Sequence, residues 1–294
     1  MNQQELPEQH GLYSPRYEHD ACGIGMLANI KGIRSHAVLK DALDALVHLS
    51  HRGGTGAELD TGDGAGILTQ IPDAFFRKVC PLEGMVLPAP GAYGVGMFFL
   101  SQDQAKRAKT KKAFEDIVKK YNQTFIGWRE VPVNPSTLGK TSKACMPYIT
   151  QAFIQKSADL KDDTAFERRL YLIRKIAERE LRYAEGAKHQ DFYAASLSCR
   201  TIVYKGMLQA KQVEELYLDL SDLDYSTSVA LVHSRYSTNT FPNWERAHPN
   251  RYTIHNGEIN TILGNQKRMN ARQSNIATDI FGVDVKNVFP IVND

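Results

Sequence analysis

Hydrophobic and polar positions along this chain follow two periods, and the switches between them mark out its elements. Residues 21–30 are small and apolar and read as a buried strand. Over 38–49, Leu39, Leu43, Leu46 and Val47 share one helical face, and Gly53-Gly54 stops the helix. Residues 66–71 and 93–100 are compact apolar runs that predict strands. Over 102–121, Ala113, Phe114, Ile117 and Val118 recur at helical spacing within a basic stretch. Residues 127–133 and 146–155 read as strands joined by a Pro/Ser/Gly loop, and 162–182 as a helix with charged flanks. Residues 192–204 and 216–220 look extended, and 228–234 is an apolar strand leading into a polar loop. Residues 252–255 and 258–260 flank Asn256-Gly257, the strongest short hairpin signal in the chain.

Two segments fit neither period. Residues 1–20 hold few apolar side chains and read as an extended leader. Arg52-Gly53-Gly54-Thr55-Gly56 and Thr61-Gly62-Asp63-Gly64-Ala65-Gly66 are too glycine-dense for helix or regular sheet and predict a structured loop. No repeat and no low-complexity linker interrupts the rest. Many strands with helices between them predict an α+β protein whose sheets are covered by helices.

Composition narrows the class. A chain of 294 residues with 42% hydrophobic and 23% charged residues is ordinary for a globular protein. A net charge of +3 is too small at this length to argue for nucleic acid or a membrane surface. The basic run at 106–112 reads as the solvated face of its helix. No run approaches the ~20 apolar residues of a membrane span. The polar, acidic start is unlike an export signal, which points to a cytoplasmic protein.

Cys22, Cys80, Cys145 and Cys199 are widely spread, with no C-x-x-C pair. The last three read as small buried hydrophobes. Cys22 differs because it sits where a polar leader meets an apolar strand. If the chain is cut before it, its α-amine and thiol share one residue, a nucleophile with its own proton acceptor. A free thiol has a pKa of about 8.5 and an α-amine one of about 7.7–8.0, so the amine is poised to take the proton. In an uncut chain that nitrogen is an amide and cannot act as a base.

Three later features add possible partners. Asn256-Gly257 reads as a type I′ turn, and the Asn amide and Gly N–H are also a donor pair suited to an oxyanion. Arg235, in His233-Ser234-Arg235-Tyr236-Ser237-Thr238, follows an apolar strand. It is either a surface arginine or, held beside hydroxyls, a bidentate partner for a carboxylate. The 61–66 loop matches neither phosphate-binding glycine pattern and reads as a packed turn. His51, His233, His248 and His255 lack metal-ligand spacing, so no metal is expected.

Together these runs resemble the N-terminal glutaminase domain of glutamate synthase large (α) subunits. The matching segments are Glu18-His19-Asp20-Ala21-Cys22-Gly23, His51-Arg52-Gly53, Thr61 to Gly66, Ser234-Arg235-Tyr236-Ser237-Thr238-Asn239-Thr240 and His255-Asn256-Gly257-Glu258-Ile259-Asn260-Thr261. The resemblance implies a class II glutamine amidotransferase with the four-layer α/β/β/α sandwich of N-terminal-nucleophile hydrolases. It implies that residues 1–21 are a propeptide and 22–294 the amidotransferase domain. Cys22 would be the nucleophile, and Asn256 and Gly257 the oxyanion hole. Arg235 would grip the α-carboxylate of L-glutamine, with Thr238 and His255 nearby. Arg52 matches a family arginine beside the nucleophile, where a cation favours the thiolate. FMN and an iron–sulfur cluster are implied for the full-length enzyme, with a reductase subunit or ferredoxin as electron donor.

Two departures accompany the match. The family's Ser-Asp-Ser run, which binds the substrate amino group, would lie beyond Asp294, so the domain is expected to be C-terminally incomplete. Ala247-His248-Pro249-Asn250 and Gln266-Lys267-Arg268 differ from the usual family residues between motifs. Two alternatives stay open: the glutaminase domain of another class II amidotransferase, and a non-catalytic binding or assembly module of the same fold.

Overall fold

The computed structural model describes residues 23–56, 58–183, 192–237, 240–255 and 261–292. Eight strands form two antiparallel sheets. They are β1 (Ile24–Ala28), β2 (Ala65–Gln70), β3 (Tyr93–Leu100), β4 (Thr124–Glu130), β5 (Tyr148–Gln155), β6 (Phe192–Ser198), β7 (Thr201–Gly206) and β8 (Val229–Ser234). One sheet has the order β1-β8-β2-β7 and the other β4-β5-β3-β6. The short turn between β6 and β7 carries the chain from one sheet to the other.

Three helices are set by clear local chemistry. In α1 (His36–His48) the Ser35 side chain caps the Val38 N–H, and Leu39, Ala42, Leu43 and Leu46 form the buried stripe. Further along, α2 (Asp73–Val79) brings Phe75 and Phe76 into the core. In α3 (Gln104–Lys120) the Asp103 carboxylate caps the Lys106 N–H, and Phe114, Ile117 and Val118 face inward. The short α4 (Lys140–Ala144) precedes β5, and α5 (Asp163–Leu181) is capped by Asp162 at the Ala165 N–H.

One core joins Ile67, Ile202, Tyr204 and Val232 of the first sheet to Val95, Met97, Phe99 and Phe153 of the second, with the α1 leucines. A second core lies between the opposite face of the β3 sheet, through Phe98, Ala152, Ile154 and Phe192, and helices α3 and α5. Each buried Leu, Val or Phe contributes roughly 1.5–3 kcal/mol through apolar area removed from water. The result is an α+β sandwich.

A buried polar network ties strands of both sheets together. Arg129 on β4 holds Asp219 through two bonds of 2.7 and 2.8 Å and donates to Gln151 on β5 at 2.9 Å. Gln151 in turn donates to the Tyr204 hydroxyl on β7, which donates to Asp219, both at 2.9 Å. Every member is partnered, as burial in a low dielectric requires.

Several expectations are corrected. Residues 216–220 are not a strand. They form the end of α6 (Gln212–Leu216) and the following 3-10 turn, because Leu216 and Leu220 are buried at a helical i, i+4 spacing. The extended 192–204 run holds β6 and the start of β7. Residues 252–255 form no strand: Asn250 bridges Thr253 around a turn in which Arg251 has a φ of 54°. Val47 leaves the buried face of α1, with 40% of its surface exposed. Cys80 and Cys199 are buried, but Cys145 is exposed at the end of α4. The helices α2, α4 and α7 (Ile262–Gln273) were not expected from the pattern.

Candidate active site

At the end of β8 the chain turns out of the sheet at Ser234 and Arg235. The Ser234 N–H donates to the carbonyl of Gly23 at 2.7 Å, so the start of β1 and the end of β8 are pinned side by side. Two glycine-dense loops close over this corner. The Arg235 N–H donates to the Gly64 carbonyl at 2.8 Å, and the Gly54 N–H donates to the Arg235 carbonyl at 2.8 Å. The Asp63 N–H donates to the Gly54 carbonyl at 2.9 Å, and Thr55 bridges Gly62. Residues 61–64 are therefore a packed turn, as the composition implies, but Ala65 and Gly66, expected in the same loop, begin strand β2 and pair with β7 and β8.

Glycine is required here for two reasons. Gly64 has a φ of 144°, and a Cβ there would meet the Ala247 Cβ at 3.0 Å. A Cβ on Gly54 would overlap the Asp63 carboxylate, which lies against the Gly54 backbone.

The corner encloses a cavity of about 210 Å³, whose lining includes Gly53, Gly54, Gly64, Gln209, Ser234 and Arg235. The Arg235 guanidinium is held on one side. Its Nη2 donates to the Ser237 hydroxyl at 3.2 Å and to the Thr240 hydroxyl at 2.6 Å. Its Nη1 is buried and has no hydrogen-bond partner among the described residues. Burial lowers the Arg235 pKa while the nearby Asp63 charge raises it, and a guanidinium stays cationic in any case. A cation on the wall of a cavity, with one nitrogen fixed by hydroxyls, suits a carboxylate.

Arg52 ends the 3-10 turn Leu49–Arg52, and its Cβ lies beside Gly23. His255 is exposed and is not among the residues lining the cavity; its charge is felt by His248. Cys22, Thr238, Asn256 and Gly257 lie outside the described residues.

Three features of the corner were not singled out from sequence. Asp63 is buried, and its Oδ2 accepts the Ser237 N–H at 2.7 Å. His233 and His248 pack ring against ring, with centroids 5.0 Å apart. Burial first, then the charges of His233, Lys205 and Arg235, pushes the His248 pKa down to about 3. Lys205 is fully buried and donates to the Tyr193 hydroxyl, the Glu245 carbonyl and the Asn250 side chain at 2.8–2.9 Å. A carboxylate between two glycines was the one available signal for Asp63; the other partners are set only by the tertiary fold.

The chain belongs to the class II glutamine amidotransferases, whose family pattern matches residues 22–294 and so begins at Cys22. Its similar relatives are glutamate synthases. It is 50% identical over 293 residues to the glutamate synthase [NADPH] large chain of Bacillus subtilis, covering 100% of this chain and 19% of that protein. It is 42% identical over 289 residues to ferredoxin-dependent glutamate synthase 1 of Arabidopsis thaliana, with 98% and 18% covered. It is 39% identical over 298 residues to the glutamate synthase [NADH] of Saccharomyces cerevisiae, with 98% and 14% covered. The chain thus spans a fifth or less of the length of these curated relatives. Among the described residues no helix is long and apolar enough to cross a membrane.

Proposed function

We propose that this chain is the glutaminase domain of a glutamate synthase and hydrolyses L-glutamine to glutamate and ammonia. The observation that carries the reading is the Arg235 corner: an arginine whose Nη1 has no hydrogen-bond partner among the described residues lines a cavity whose wall, at Ser234, is bonded to the residue after Cys22. A family pattern beginning at Cys22 supports loss of residues 1–21 as a propeptide. The two sheets with their flanking helices support a four-layer α/β/β/α sandwich of the N-terminal-nucleophile hydrolase type.

In this mechanism Arg235 receives the substrate α-carboxylate, with Thr238 and His255 as lesser substrate-binding residues. The Cys22 sulfur attacks the side-chain amide carbon, and its proton passes through the α-amine to the departing nitrogen, which leaves as ammonia. The Asn256 amide and the Gly257 N–H hold the oxyanion, an interaction whose loss costs roughly 3–4 kcal/mol of transition-state stabilisation. Arg52 favours the thiolate. Water then attacks the thioester, giving its proton back through the amine as the thiol leaves with glutamate.

In the longer enzyme the ammonia aminates 2-oxoglutarate, with electrons from a reductase subunit or ferredoxin, in the cytoplasm. FMN and an iron–sulfur cluster serve that second reaction. Both cofactors are assigned to the rest of that enzyme.

The test is glutamate release together with the intact mass of the protein. Activity from a protein that starts at Cys22, abolished by Cys22→Ala, is the expected result. A protein that retains Met1 and releases no glutamate would contradict it.

A further inference from the structure

The glycine loop beneath Arg235 carries a charge that the mechanism above does not use. Asp63 is 6% exposed, and its Oδ2 accepts the Ser237 N–H at 2.7 Å. Ser237 in turn accepts Arg235 Nη2 on its hydroxyl, which also donates to the Thr240 carbonyl. The backbone of the same aspartate is fixed by Gly54, which is itself fixed by Arg235. Asp63, Gly54, Arg235 and Ser237 thus form a closed ring of contacts that fixes Arg235 at the cavity wall.

We propose that Asp63 is a positioning residue of the carboxylate subsite: it fixes Ser237, and through it the guanidinium edge that selects substrates carrying an α-carboxylate. The proposal rests on the glutaminase reading and on Arg235 as the carboxylate partner. Its chemistry follows from the two bonds in series. A charged acceptor holds the Ser237 backbone, the Ser237 hydroxyl holds one guanidinium nitrogen, and the other nitrogen keeps a fixed direction. Without the carboxylate the 237 segment loses its anchor, and the guanidinium is free to turn away from the cavity. The negative charge also offsets the cost of keeping a buried cation unpaired before substrate arrives.

The experiment compares kcat/KM for L-glutamine with that for 4-aminobutanamide, which keeps the reacting amide and the amine but lacks the carboxylate. In the wild-type protein the ratio strongly favours glutamine. Asp63→Ala should raise the KM for glutamine about tenfold or more and shrink the ratio by the same factor, because one hydrogen bond to a charged group is lost. Asp63→Asn, which keeps an acceptor oxygen for Ser237 without the charge, should shrink the ratio less, by about threefold. A merely structural aspartate would lower both substrates in parallel and leave the ratio unchanged, which would overturn the proposal. Asp63→Asn decides the matter if the alanine variant does not fold. Arg235→Ala separates the two readings. If it leaves the ratio unchanged, the carboxylate reading itself is wrong. If it collapses the ratio while both Asp63 variants keep it, only the role of Asp63 is wrong.

Discussion

Gly23 and Ser234 are joined by a backbone hydrogen bond of 2.7 Å from the Ser234 N–H to the Gly23 carbonyl. One follows Cys22 in sequence and the other precedes Arg235, so a single contact at the corner of one sheet joins the chain neighbours of the two residues given roles in the proposed reaction. Sheet registers resist slippage, because a one-residue shift turns every side chain to the opposite face. Gly23 and Arg235 thereby inherit their spacing from the pairing of β1 with β8, which runs from Ile24 opposite His233 to Ala28 opposite Val229.

The shape of the Arg235 cation should matter as much as its charge. Arg235→Lys keeps the charge but cannot both hold Ser237 and Thr240 through one nitrogen and present a second nitrogen to a carboxylate. The KM for glutamine should rise about tenfold, in line with loss of one charge-assisted hydrogen bond. Steady-state kinetics across glutamine concentrations checks this, and an unchanged KM would contradict it.

The Arg129–Asp219 pair should be a stability hot spot remote from the site. Both side chains are almost fully buried, with 6% and 1% exposed, and the contact is bidentate. Arg129→Met leaves Asp219 as an uncompensated buried charge and should cost about 3–5 kcal/mol. Adding Asp219→Asn to that variant should recover part of the loss. Urea unfolding midpoints of the single and double variants measure both effects.

His248 should make the protein acid-sensitive. Its folded pKa of about 3 lies below the ordinary 6.5, so between these values the unfolded chain binds the proton and the folded one does not. Its neutral form is fully compatible with the fold above pH 6.5, and stability falls as pH drops from there toward 3. The slope from this group is at most about 1.4 kcal/mol per pH unit. His248→Gln should remove that slope, so the stability difference between wild type and variant narrows as pH falls. A constant difference between pH 7 and pH 4.5 would contradict the assignment.

What the sequence made legible depended on how local each cause was. The strand β3, buried along its whole length, and α5, with its Asp162 cap and apolar stripe, are written in neighbouring residues. Residues 216–220 were not legible, because two leucines four apart serve a helical turn as well as a strand. The helix α7 was missed because it buries no residue at all and so carries no amphipathic stripe. At the site, Arg235 beside hydroxyls was readable from Ser234, Ser237 and Thr240 in one run. The Asp63–Ser237 bond was not, because its partners are 174 residues apart and are brought together by the pairing of β2 with β8.

The most direct test of the central claim is to treat the protein with a glutamine analogue bearing an electrophilic group in place of the side-chain amide, then map the adduct by peptide mass spectrometry. The account expects one adduct, on the sulfur of an N-terminal Cys22, with labelling slowed by excess glutamine and by Arg235→Ala. A glutamine-protected adduct on exposed Cys145 instead, or labelling of Cys22 that glutamine does not slow, would contradict it.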